Sequence, residues 1–484
     1  MRRLAAVLAT CALLAAGCGG NGEPAAQPAP PLPSSAAHDT TSAAYSAAQS
    51  HPQEDSVYPD VGDPRVDALH YDLDINWAPS TQLLRGDQTL LFRAASTGTH
   101  FQLDLERQLA VHGVWLDGKP VDFSHDSSNL VVAAPLHKGD RHILQVRYTG
   151  TPEPVAAPTD RSDFSTVGWT ITDTDEVWTM QEPYGAYSWY AVNDQPSDKA
   201  FYDFTIHAPS PMVGVANGQL RSRTTKAGIT TTRWHLASPA ASYLTTIAIG
   251  KFTETRDTGP HGLPITYWTP SDQPKLIRGL HYTPAAVRYL ESKLGRYPYP
   301  TLGVLLVDSK SAMETQTMLT LGIGDYTLSH DVLVHELAHQ WYGDEVTPAD
   351  WSDLWMSEGM ALYLAEGNWT ADHGPRTLSG IARGWARYAG ELRARNGPPA
   401  DYRPGTFGEG NAYYIPGLMW DTIRQRLGDA TFWRLVREWP IAHRYRSSSR
   451  EEMARWWSAR SGQDLRPVFG AWLLGPHEPA YHAG

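Results

Sequence analysis

His335 and His339 stand four residues apart with Glu336 directly after the first, and after eighteen further residues Glu358 sits in the run Trp355-Met356-Ser357-Glu358-Gly359. On a helix over residues 331–342 the two imidazoles project from one face and can hold one metal ion, with Glu336 beside them. Two imidazoles and a free carboxylate are the parts of a zinc hydrolase, in which the carboxylate serves as general base. A carboxylate in a Trp-, Met-, Gly- and Ala-rich run such as that around Glu358 is costly to bury unless it is paired or bound to a metal.

The likeness extends beyond the pentapeptide. His335-Glu-Leu-Ala-His-Gln-Trp-Tyr-Gly-Asp-Glu-Val-Thr347 and Trp351-Ser-Asp-Leu-Trp-Met-Ser-Glu-Gly-Met-Ala361 resemble the M1 family of zinc aminopeptidases, in the gluzincin group. The resemblance implies that His335, His339 and Glu358 ligate one Zn2+ per chain and that Glu336 takes the proton of the attacking water. Ser311-Ala312-Met313-Glu314-Thr315 resembles the family's Gly-x-Met-Glu-Asn exopeptidase motif, with Ser in place of Gly and Thr in place of Asn. It implies that Ala312, Met313 and Glu314 line the substrate and that Glu314 pairs with its α-ammonium. Trp178-Thr-Met-Gln181-Glu182-Pro183 resembles the segment that reaches into the site from the N-terminal domain, so Glu182 is expected on the substrate's free amino terminus with Gln181 close by. Ala412-Tyr-Tyr-Ile-Pro-Gly417 resembles the family's Tyr-x-Lys-Gly segment, with Pro416 replacing Lys. That match makes Tyr414 the phenol that stabilises the oxyanion, with Tyr413 a near alternative. Asp344 and Asp353 are candidates to orient the imidazoles, and surface or capping roles are equally open to them.

The elements that must position these residues divide the chain in order. Arg2-Arg3, an apolar run from Leu4 to Ala16 and Ala15-Ala16-Gly17-Cys18 read as an export signal over residues 1–18 whose end resembles a bacterial lipobox. The expectation is a lipid on Cys18 and a protein held on the outer face of a bacterial cell membrane. Cys11 is the only other cysteine and lies inside the signal, so the mature chain can form no internal disulfide. Residues 19–57, rich in Ala, Pro, Ser, Gln and Thr, read as a disordered tether that would hold the globular part on the order of 35 Å from the membrane. The net charge of −12 argues against a nucleic-acid partner.

Residues 58–255 read as short alternating strands, among them His70–Asn76, Gln88–Arg93, His142–Tyr148 and Tyr202–His207, separated by turn signals at Asp117-Gly118 and Lys138-Gly139-Asp140. Residues 256–484 read as a buried strand at Leu302–Val307 followed by helices at 352–367, 376–395, 413–427, 429–438, 449–460 and 465–474. The fold class is therefore α+β and multidomain: a β-sandwich-like domain, then a catalytic domain that the resemblance implies is thermolysin-like. Larger M1 proteins carry a helical C-terminal domain for which this chain has no room, so an open cleft is expected. The function that the resemblance implies is release of amino-terminal residues from peptides outside the cytoplasm. A zinc endopeptidase or dipeptide-removing enzyme is the alternative consistent with the altered exopeptidase motif. An inactive binding protein on a peptidase fold is disfavoured, because the motif-matched ligands, base and a candidate tyrosine are all present.

Overall fold

The computed structural model describes residues 43–482. Alternation along the N-terminal strands is translated directly into a two-faced sheet. In Val66–Ala78 the side chains of Tyr71, Leu73, Ile75 and Trp77 are buried while Asp74 and Asn76 face solvent. The main sheet has eight strands, in the order Gln219–Lys226, Ile229–Ala241, Lys199–Pro209, Val66–Ala78, Leu83–Ala94, Arg141–Gly150, Leu109–Leu116 and Lys119–Pro120. Neighbours pair antiparallel except Val66–Ala78 and Lys199–Pro209, which run parallel with Leu73 opposite Phe204. A five-stranded sheet that includes Thr166–Ile171 and Val177–Met180 shares its apolar core, where Trp77, Trp169 and Trp189 meet. This is the expected β-sandwich-like domain.

The second domain is built on a five-stranded sheet, ordered Phe252–Thr258, Pro264–Pro270, Leu302–Val307, Met318–Gly322 and Ala312–Met313. Leu302–Val307 is buried along its whole length, as a continuous apolar run requires. The helices Thr283–Leu294, His330–His339, Trp355–Leu362, Leu378–Asn396, Tyr414–Leu427, Asp429–Ala442, Arg450–Ser461 and Arg466–Leu473 pack into one core with this sheet. Among the described residues no helix is long and apolar enough to cross a membrane.

Three boundaries differ from the sequence reading. The last strand of the first domain ends at Gly250 and the catalytic sheet starts at Phe252, so the division falls at Lys251 rather than after residue 255. The tether does not extend to residue 57. From Ala43 the chain lies on the folded body, with Tyr45 and Ala48 buried against Leu69, Leu91 and Ile143. Ser56 then donates from its amide and hydroxyl to the Asp350 carboxylate, at 2.8 and 2.7 Å. One buried aromatic and a few side-chain acceptors suffice to dock a segment whose average composition is that of a linker. The segment expected as one helix at 352–367 is instead the helix Trp355–Leu362 followed by a π-helical turn, Tyr363–Trp369. The export signal, with Cys18, and most of the tether lie outside the described residues.

Candidate metal centre and its cleft

The helix His330–His339 begins where the Ser329 hydroxyl accepts from the Val332 amide at 3.4 Å, and its apolar residues Leu333, Val334, Leu337 and Ala338 face the core. That choice of face turns His335, Glu336 and His339 to the other side. The helix Trp355–Leu362 delivers Glu358 from the opposite wall, and its Oε2 lies 3.1 Å from His335 Nε2 and 3.5 Å from His339 Nε2. The edge of a tetrahedron with metal–ligand bonds of about 2.0–2.2 Å is roughly 3.3–3.6 Å, so this donor set fits one zinc ion. His339 is further oriented by its Nδ1, which donates to the Tyr342 carbonyl at 3.1 Å and leaves Nε2 aimed at the metal position. The turn that brings this carbonyl under the ring requires Gly343, which has φ +135 and whose added Cβ would stand 3.2 Å from His339 Nδ1.

Neither Asp344 nor Asp353 orients an imidazole. Asp344 accepts from Gln340 Nε2 at 2.6 Å, and Asp353 accepts from Trp355 Nε1 at 3.0 Å and pairs with Arg450. The organising residue that sequence reasoning missed is Gln340, one position past the second histidine. Its Nε2 also donates to the Glu314 carbonyl at 2.8 Å, while its Oε1 accepts from the Thr317 amide at 2.9 Å and the Tyr297 hydroxyl at 3.0 Å. It ties the helix His330–His339 to Glu314, the residue that follows the strand Ala312–Met313.

That strand, Ala312–Met313, forms the edge of the catalytic sheet, paired antiparallel to Met318–Gly322 on one side only. It opens onto a cleft of roughly 830 Å3 lined by Ala312, Met313, Glu314 and Glu182 together with His335, Glu336, His339 and Glu358. Glu182, Glu314 and Glu358 each offer a carboxylate oxygen, all within 4.8 Å of one another. Burial first, and then the facing carboxylates, push Glu182, Glu314 and Glu336 above the usual carboxylate range. Glu358 is also buried, yet the imidazoles of His339 and His335 hold its carboxyl well below that range. Buried oxygens of Glu182 and Glu314 have no hydrogen-bond partner within the protein.

Two expected site residues are placed otherwise. Gln181 is fully buried and saturated, donating to the Ser242 carbonyl at 2.8 Å and Thr245 Oγ1 at 2.6 Å and accepting from Trp189 Nε1 at 2.9 Å. Just past the strand Val177–Met180, Gln181 turns into the β-domain and its neighbour Glu182 into the cleft. Tyr414 reaches the cleft wall but packs toward Trp385, with 6.2 Å between ring centroids. Tyr413 instead stacks on His335, at 6.0 Å and 24°. The helix starts at Tyr414, so the preceding residue, outside the first helical turn, lies against His335.

Comparison with known proteins fits this geometry. The description "Peptidase family M1 domain" matches residues 279–389 and "Peptidase M1 N-terminal domain" matches residues 67–244, together more than half of the chain. The chain belongs to the M1 peptidase family. Among curated M1 relatives, Aminopeptidase N of Streptomyces lividans is 24% identical over 84% of this chain and 50% of its own length. Aminopeptidase 2 of Candida albicans is 26% identical over 62% of this chain and 34% of its own length, so the chain spans about a third to a half of these proteins. A mutant M1 zinc metallopeptidase of Deinococcus radiodurans, solved bound to a Tyr-Ser-Ala substrate, superposes with a TM-score of 0.78 at 25% identity, over 88% of this chain and 98% of that one.

Within the M1 frame the departures from the family pattern are absorbed locally. Thr315 is buried, and its hydroxyl is engaged with the Met318 carbonyl and, at 2.8 Å, with Thr320 Oγ1. Pro416 is the third residue of its helix, where no intrahelical donor is needed. It packs so tightly on the helix Trp355–Leu362 that a Cβ on Gly359 would lie 2.3 Å from its own.

Proposed function

We propose that this protein is a zinc-dependent aminopeptidase that removes residues from the free amino termini of peptides. The observation that carries the reading is the convergence of Glu182 and Glu314 beside the metal ligand Glu358, with carboxylate oxygens within 4.8 Å and orphaned buried acceptors. Such a cluster is relieved by a cation, and the α-ammonium of a peptide is the cation that would leave its first peptide bond over the metal position. The names of the curated relatives and the peptide-bound structural neighbour support the same reading.

His335, His339 and Glu358 would hold the zinc. Bound there, it supplies a Lewis acid that polarises the scissile carbonyl and acidifies the attacking water. Glu336, buried beside these three residues without joining them, accepts the proton of that water and passes it to the leaving amine. The Tyr413 phenol donates to the developing oxyanion. Ala312 and Met313, on an unpaired sheet edge, offer backbone groups along which the substrate chain can lie. The lipobox-like end of residues 1–18 supports an exported protein tethered through a lipid on Cys18.

The test is hydrolysis of aminoacyl-fluorogenic substrates and their N-acetylated counterparts, with and without a chelator. Acetylation removes the charge that Glu182 and Glu314 await, so blocked substrates are expected to be cleaved at least about a hundredfold more slowly. Equal cleavage of blocked peptides overturns the aminopeptidase reading in favour of an endopeptidase.

A further inference from the structure

The phenol of Tyr413 is not free to turn. Arg161, on a loop of the β-domain between Val155–Ala156 and Thr166–Ile171, donates through Nη1 to the Tyr413 Oη at 3.3 Å and to the Gly408 carbonyl at 2.9 Å. The guanidinium is fixed on its other side by Asp163, with Nε 3.1 Å from Oδ1 and Nη2 2.5 Å from Oδ2, and it lies 4.6 Å from the centre of the Phe164 ring. The loop itself is fastened to the catalytic domain. The Phe407 amide donates to the Pro158 carbonyl at 3.0 Å, and Thr159 Oγ1 donates to the Phe407 carbonyl at 2.7 Å. Gly408 is shaped for this contact. It has φ +66, and a Cβ there would approach Phe164 Cζ at 3.2 Å and Arg161 Nη1 at 3.5 Å.

A phenol oxygen that accepts a hydrogen bond from a cation has one remaining role for its own proton, which is to donate it. Arg161 occupies the acceptor side of Tyr413, and the ring stacks on His335, so the O–H is left to point into the cleft where the scissile carbonyl would sit. From this geometry we propose that Arg161 is a positioning residue for catalysis: the β-domain loop 157–164 completes the oxyanion-stabilising group of the catalytic domain by locking the Tyr413 hydroxyl in its donating orientation. The inference rests on the aminopeptidase reading given above. It makes the site a product of both domains at the oxyanion-stabilising phenol as well as at Glu182.

The experiment compares wild type, Arg161→Gln, Tyr413→Phe and the double variant on a free-amine substrate, with zinc content measured for each. Arg161→Gln is expected to lower kcat by about tenfold or more, with KM changed less than about twofold and zinc retained. The double variant should be no slower than Tyr413→Phe alone, because an arginine that acts only through the phenol has nothing left to position. Asp163→Asn, on a half-exposed partner that leaves the loop's backbone fastenings intact, should act in the same direction more weakly, and it serves if Arg161→Gln does not fold. An unchanged kcat in Arg161→Gln, or losses that multiply in the double variant, overturns the proposal. A wild-type protein inactive on free-amine substrates overturns the aminopeptidase reading and the proposal with it.

Discussion

Glu336 differs from its neighbours in being buried beside the metal ligands without joining them, and its role is separable from theirs. Glu336→Gln keeps the size and polarity of the side chain but cannot accept a proton. It is expected to retain one zinc per chain and an unchanged melting temperature while lowering kcat by at least about a thousandfold; substantial turnover in this variant rules out Glu336 as the base. The two tyrosines make a paired prediction. Tyr413→Phe should lower kcat by roughly a hundredfold, or about 3 kcal/mol, with little change in KM, and Tyr414→Phe should stay within a few-fold of wild type. If the losses fall the other way round, the orientation of the helix start is not what governs the oxyanion contact. Sequence could not choose between them. Adjacent helical residues point about 100° apart, and which one faces the metal depends on where the helix begins, a tertiary fact. The same limit applies to Gln181 and Glu182, whose neighbouring positions go to opposite faces, and to Arg161, whose partner is 252 residues away. His335, Glu336 and His339 were legible because their relation is local.

At the scale of elements the site depends on how closely two helices cross. Trp355–Leu362, which carries Glu358, meets Tyr414–Leu427, which follows Tyr413, at Gly359 against Pro416. Gly359→Ala places a methyl 2.3 Å from Pro416 Cβ, with no flexible side chain to yield. The helices must separate, and the expected cost is about 1–3 kcal/mol. Glu358 and Tyr413 would move apart together, so zinc affinity and kcat should fall alongside thermal stability. A stable Gly359→Ala protein with full zinc occupancy would show that the crossing can relax without disturbing the ligands. The helices themselves were visible as 3.6-residue periodicity, and most observed bounds lie within a few residues of the expected ones, as for Leu378–Asn396 against 376–395. Their spacing was not visible, because a glycine read alone does not reveal which partner approaches it. The π-helical turn Tyr363–Trp369 was hidden for a related reason: an extra residue in a turn shifts the apolar stripe without ending it.

At the scale of the molecule the β-domain is fastened to the second domain, and one of its anchors is a buried lysine. Lys199 is fully buried, and its Nζ donates to the Asp344 carbonyl at 2.7 Å and the Glu345 carbonyl at 3.3 Å, in the turn that follows the metal-binding helix. Burial lowers its pKa from 10.5 to about 7, against the opposing pull of Asp344 and Glu345. Between these two values the unfolded chain binds a proton at this site that the folded chain does not, so the Lys199 contribution to stability rises with pH. It is least favourable at and below about pH 7, where both states are protonated and the folded state carries a buried charge. It improves by about 1.4 kcal/mol per pH unit until the unfolded lysine also loses its proton near 10.5. Lys199→Met fills a similar volume but has no proton to lose. The difference in unfolding free energy between wild type and Lys199→Met, measured by denaturant titration from pH 6.5 to 10.5, should therefore shift steadily in favour of wild type as pH rises. A pH-independent difference would mean that Lys199 stays charged in the fold, with its two carbonyl acceptors and the nearby carboxylates outweighing its burial.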